Sequence, residues 1–99
     1  MIYARRQDAN QTALIGAFEK LGCSVLDLSR VGSGCPDLAV SVHGNTVLVE
    51  VKTEEGKLSP EQIRFHRESK ASIFVARTFD DVAVIVQIIK RSRFGVLRK

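Results

Sequence analysis

Leu14, Phe18 and Leu21, joined by Ala13 and Ala17, recur at three- and four-residue intervals, which is the spacing of one helix face. Asp8 and, three residues on, Gln11 make a capping-box pattern ahead of them, and Gly22 follows, so a helix is predicted over residues 8–21. The period then shortens. Ser24 to Leu28 reads as a short strand, and Arg30 to Pro36 (Arg-Val-Gly-Ser-Gly-Cys-Pro) as a loop, freed at two glycines and pinned by proline. Asp37 to His43 and Thr46 to Lys52 are strand-like runs on either side of Gly44-Asn45, a turn pair of the hairpin type.

After a polar connection from Thr53 to Leu58, Ser59-Pro60-Glu61-Gln62 opens a second helix that runs to about Ser69. Ser59 is its cap, Pro60 its first residue and Gln62 the reciprocal partner of the cap. Ala71 to Ala76 reads as a strand, and Phe79 to about Ser92 as a last helix capped by Thr78, Asp80 or Asp81. The order α-β-β-β-α-β-α predicts an α/β fold in which a mixed β-sheet is flanked by helices. No repeat, linker or low-complexity stretch divides the 99 residues, so one domain over 1–99 is expected, near the lower end of what one core supports.

The hairpin is where chemistry enters. Side chains alternate along a strand, so Val47, Val49 and Val51 share one face and Leu48, Glu50 and Lys52 the other. With Gly44-Asn45 as the turn, His43 pairs with Thr46, Asp37 falls opposite Lys52, and Ala39 opposite Glu50. Asp37 and Glu50 then sit diagonally on one face, about 7–8 Å apart at the backbone, within reach of a single ion. Oxygen ligands converging from two strands suit Mg²⁺ or Mn²⁺, which keep water positions open for a phosphate. A Lys opposite an Asp is also what an exposed cross-strand ion pair looks like. Against that, Glu50 interrupts Val-Leu-Val-Glu-Val, otherwise a strand buried on both faces, where an acid needs a partner.

Charge and composition add less. The net charge is +4 and the pI near 9.4, with basic residues at Arg5 and Arg6, at Arg64, Arg67 and Lys70, and in the last ten positions, which include Arg91 and Arg93. Such clusters favour polyanions through counterion release. Cys23 and Cys35 lack the paired neighbours of a zinc site and read as free thiols, one buried at a helix end and one in a loop. No apolar run approaches the ~20 residues of a membrane span, and the N-terminus lacks the apolar core of a secretory signal. The expected compartment is the cytoplasm.

Gly34-Cys35-Pro36-Asp37-Leu38, followed thirteen residues after the Asp by Glu50-Val51-Lys52, resembles the signature of the PD-(D/E)xK nuclease superfamily. Within it the chain is most similar to the virus-type replication-repair nuclease (VRR-NUC) domain in its small stand-alone phage and bacterial form. The likeness extends over Asp8-Ala9-Asn10-Gln11, the Gly32-x-Gly34-x-Pro36-Asp37 loop, Glu50-x-Lys52 and Leu58-Ser59-x-x-Gln62. It implies a restriction-endonuclease-like core, Asp37, Glu50 and the Val51 main-chain carbonyl as metal ligands, Lys52 as a catalytic residue, and Gln62 beside the site. Relatives place a glutamate on the first helix; here Gln11 stands there, an uncharged oxygen donor. Glu19 lies about two turns further on and can compensate or remain solvated, and Asp8 is more simply a cap.

The function expected from these residues is Mg²⁺- or Mn²⁺-dependent, structure-selective cleavage of DNA, with a Holliday junction resolved by a homodimer in which Phe94, Val96 and Leu97 contribute to the contact. Arg5, Arg6, Arg64, Arg91 and Arg93 are the candidate phosphate contacts. Two alternatives stand beside it: a flap or single-strand nuclease working as monomer or subunit, and a DNA-binding module on a nuclease fold weakened by Gln11. His43 and His66 are expected at the surface.

Overall fold

The computed structural model describes residues 2–92, with side chains from residue 9 onward. The elements are α1 (Ile2–Lys20), β1 (Ser24–Asp27), β2 (Leu38–Val42), β3 (Asn45–Val51), α2 (Pro60–Glu68), β4 (Ile73–Ala76) and α3 (Phe79–Arg91), in the expected order. The four strands lie side by side as β1-β2-β3-β4, the first three antiparallel and β4 parallel to β3. A parallel neighbour needs a crossover, and α2 is that crossover.

One face of the sheet carries the core. Leu38 and Val40 of β2 and Val47, Val49 and Val51 of β3 pack with Leu14 and Phe18 of α1 and Val82, Ile85, Val86 and Ile89 of α3. Each fully buried aliphatic side chain contributes roughly 1.5–3 kcal/mol, so the valine face of β3 fixes how the strand sits. Its other face carries Leu48 and Glu50, and Glu50 is only 1% exposed. The strand is covered on both sides, as its unbroken apolar run suggests.

The local signals hold at α2 and α3. Ser59 caps α2 with Gln62 as its capping-box partner, and Thr78 caps α3 with Asp81. The first helix differs from expectation. It begins at Ile2, so Asp8 lies inside it and not at its cap. The residues before Asp8 include no glycine or proline to stop the helix, and Asp-x-x-Gln reads as a cap only where a breaker precedes it. At the other end, Cys23 N–H bonds to Phe18 O and Gly22 N–H to Glu19 O, with Gly22 at φ +92°, the Schellman ending. Leu21 is therefore past the helix and is exposed, outside the stripe.

The hairpin turn also differs. His43 and Gly44, both at positive φ (54° and 79°), form it, and Val42 pairs with Asn45. Two central residues at positive φ are what the favoured hairpin turn requires. Asn45 is withdrawn from the turn by a tertiary contact. It is buried, and its Nδ2 donates to Ile89 O at 3.0 Å and Ser92 O at 3.3 Å, two main-chain carbonyls at the end of α3. The shift changes the register by one residue on each strand: Ala39 opposes Leu48 rather than Glu50. Continued one step beyond Leu38 and Val49, the ladder sets Asp37 opposite Glu50 rather than Lys52.

Candidate active site

Asp37 stands where the loop after β1 enters β2, behind the buried Pro36. Leu28 N–H bonds to its main-chain carbonyl at 2.7 Å. Its side chain reaches across to β3, where Oδ2 accepts the Val51 N–H at 2.8 Å. The loop before it is seated on α2. Gly34 is at φ +79°, and a Cβ there would lie 2.5 Å from the Glu61 carbonyl oxygen. Only glycine fits that approach, and this fixes the distance between the Asp37 loop and the helix bearing Gln62.

Glu50 meets Asp37 from β3. The two carboxyl groups are close enough to share a proton, and Glu50 is pushed up to about 8, by burial first and then by the hydrogen bond and charge of Asp37, with Lys52 offsetting part of the rise. Without a cation, Glu50 therefore carries a proton at neutral pH. From α2, Gln62 Nε2 donates to Glu50 Oε2 at 3.1 Å, while Gln62 Oε1 accepts the Ser59 N–H at 2.8 Å. One amide thus closes the capping box and reaches the buried Glu50.

Lys52 is half-buried at the end of β3, with its N–H on Ala76 O at 3.1 Å and its carbonyl held by Asn10 Nδ2 at 2.8 Å. Asn10, on α1, crosses from the core face to fix the strand end. The sequence motif contained it, but a carbonyl partner 42 positions away has no local signal. Downstream, the Arg77 guanidinium binds the Thr53 carbonyl at 2.8 Å and that of Gly56, which ties down the chain leaving Lys52.

The VRR-NUC domain family matches residues 6–77, a span that contains every residue just described. The chain belongs to the VRR-NUC family. A solved structure described as a VRR-NUC domain is 37% identical, aligns over 82% of this chain and 94% of its own length, and superposes with a TM-score of 0.66. No curated protein matches the chain. The mixed sheet and its flanking helices are accordingly the restriction-endonuclease-like α/β core, and the protein is a member of a nuclease family.

Other residues singled out from the sequence fall elsewhere in this VRR-NUC domain. Gln11 Nε2 donates to Asp27 Oδ2 at 3.3 Å, on β1, and is not placed against Asp37 or Glu50. Glu19 is exposed. Arg64 is exposed on α2 two positions past Gln62, about 200° round the helix, and points away from the carboxylates. Arg91 is exposed at the end of α3, beside the hairpin turn and far along the strands from Asp37. The side chains of Arg5, Arg6 and Asp8, and residues Arg93, Phe94, Val96 and Leu97, lie outside the described residues.

His43 is exposed, in the turn itself. His66 is not a surface histidine: its side chain is 18% exposed and Nε2 stands 3.6 Å from Glu50 Oε1. Burial, and then the charge of Lys52, lower its pKa, so the contact at neutral pH is between two uncharged groups and not an ion pair. The signal was present, since residues four apart share a helix face and His66 follows Gln62 by four. Cys23 is buried at the end of α1 and Cys35 half-buried in the loop, both free. The Cys35 thiol is pushed up by burial and then by the charges of Glu50 and Asp37, which places it beside the carboxyl pair. Among the described residues no three His, Cys, Asp or Glu side chains converge on one point, and no helix is long and apolar enough to cross a membrane.

Proposed function

We propose that this chain is a Mg²⁺- or Mn²⁺-dependent endonuclease that hydrolyses phosphodiester bonds in branched DNA, and that two copies act together on a Holliday junction. The observation that carries the reading is the pairing of Asp37 with the buried Glu50. Two carboxyls in contact, one of them driven to hold a proton, form a pocket of negative potential that a divalent cation neutralises. The donor set fits such an ion. Glu50 Oε1 is buried and has no hydrogen-bond partner, Asp37 brings a second carboxylate, and the Val51 carbonyl between Glu50 and Lys52 is the further ligand implied by the family. Two side-chain carboxylates and a carbonyl leave coordination positions for water and phosphate oxygens, as Mg²⁺ prefers.

When bound there, a divalent cation would supply polarisation of a phosphoryl oxygen and a more acidic water. The chain's own residues do the rest. Asp37 is oriented by the Val51 N–H and Glu50 by the Gln62 amide, so neither carboxylate rotates out of reach. Lys52, on the same face as Glu50, orients the attacking water and offsets the charge gained by the phosphate in the transition state. The exposed Val84 and Ile88 of α3, on the face of the sheet opposite the carboxyl pair, offer an apolar surface for a second copy.

The test is cleavage of a four-way junction, a 5′-flap and a linear duplex, each with Mn²⁺ or Mg²⁺. Junction cutting that disappears in Asp37→Asn supports the proposal. Flap or single-strand cutting alone replaces the junction with the smaller substrate. Binding without cutting of any substrate makes the chain a DNA-binding module in which Gln11, occupied by Asp27, stands where an acid would have completed the ion's shell.

A further inference from the structure

Glu50 and His66 each present a buried polar atom that nothing in the described structure satisfies: Oε1 of the acid and Nε2 of the ring. A buried polar atom left without a partner is destabilising, and here two such atoms face each other 3.6 Å apart. Closing that gap to the ~2.9 Å of an N–H···O bond satisfies both. The other oxygen of the same carboxyl, Oε2, already accepts from Gln62, one turn earlier on the same face of α2. Because no three acid or imidazole side chains converge on one point among the described residues, His66 is not placed as a ligand beside Asp37. It stands against Glu50.

We infer that His66 is a positioning residue: with Gln62 it forms a two-point clamp from α2 that holds both oxygens of Glu50 and aims the carboxylate at the ion shared with Asp37. The inference rests on the cation-binding reading of the Asp37–Glu50 pair. It gives α2 a task that the described side chains of α1 do not perform, since Gln11 is bonded to Asp27 and Glu19 is exposed. Donors behind a ligand fix its orientation and commonly change metal affinity by about 10- to 100-fold when removed.

The experiment is calorimetric titration of Mn²⁺ into the full chain, stripped of metal, for wild type, His66→Gln and His66→Phe, with folding of each checked by an amide NMR spectrum. Glutamine carries an N–H donor at nearly the reach of Nε2; phenylalanine keeps the ring and removes the donor. The expected result is a loss of Mn²⁺ affinity of about tenfold or more in His66→Phe, with His66→Gln close to wild type. Should His66→Phe fail to fold, His66→Ala is titrated with and without added imidazole, which is expected to restore affinity. Equal affinity in wild type and His66→Phe, or an alanine variant that imidazole does not rescue, overturns the clamp while leaving the ion site standing. A wild type that binds no Mn²⁺ overturns the ion site, and the clamp with it.

Discussion

Gln62 and Glu50 are joined by a 3.1 Å hydrogen bond from the amide Nε2 to Oε2, and the same amide closes the capping box of α2 through Oε1. Helix start and buried acid are therefore coupled through one side chain. Gln62→Ala is expected to lose about 1 kcal/mol from the cap and about 1–3 kcal/mol from the acceptor left unpaired on Glu50. Urea unfolding measures the sum. A cost well under 1 kcal/mol would mean that the two contacts are not made together.

Glu50 sets the pH dependence of the cation-free protein. Its folded pKa of about 8 lies above the ordinary 4.5, so the folded state binds the proton more tightly than the unfolded chain. The stabilisation is complete below about 4.5 and is lost as pH rises through about 8, on the order of 5 kcal/mol in full. His66 acts in the opposite sense. Its folded pKa is lowered from 6.5, so its contribution is present above 6.5 and lost as pH falls. Between pH 6.5 and 8.5 the Glu50 effect dominates. Thermal unfolding without metal should show stability declining across that window, and both Glu50→Gln and added Mn²⁺ should flatten the decline.

Lys52 shares the face of Glu50 but binds no cation. Lys52→Ala is expected to cut DNA about 10²–10⁴-fold more slowly, while calorimetry shows Mn²⁺ bound at least as tightly as in wild type, because a neighbouring positive charge is gone. Loss of Mn²⁺ binding together with cleavage would assign Lys52 a structural role instead.

Asn45 distinguishes the two registers of the hairpin. In the turn, Asn45→Gly would be harmless. In the observed register the change removes bonds to Ile89 O and Ser92 O, and it should destabilise by about 1–3 kcal/mol in a urea titration. A neutral Asn45→Gly would return the turn to Gly44-Asn45 and shift Asp37 away from Glu50.

That residue also shows where sequence reading stops. The order of elements, the valine face of β3, the caps at Ser59 and Thr78 and the family motif were all legible, because each is written in local spacing. The one-residue shift of the hairpin was not, since it depends on the contact of Asn45 with the end of α3. Asp37 and Glu50 were expected on one face, and they share it because the shift preserves parity; only their separation changed, from diagonal to opposite. Asn10 on the Lys52 carbonyl and His66 on Glu50 are contacts between distant segments. A single sequence offers for them only hints, such as the four-residue spacing from Gln62.

The central claim is that Asp37 and Glu50 hold one divalent cation. Anomalous diffraction from a crystal soaked in Mn²⁺ tests it most directly. The account predicts a peak about 2.0–2.6 Å from an oxygen of each carboxylate, beside the Val51 carbonyl. A peak bound elsewhere, with Asp37 and Glu50 still sharing a proton, would contradict it.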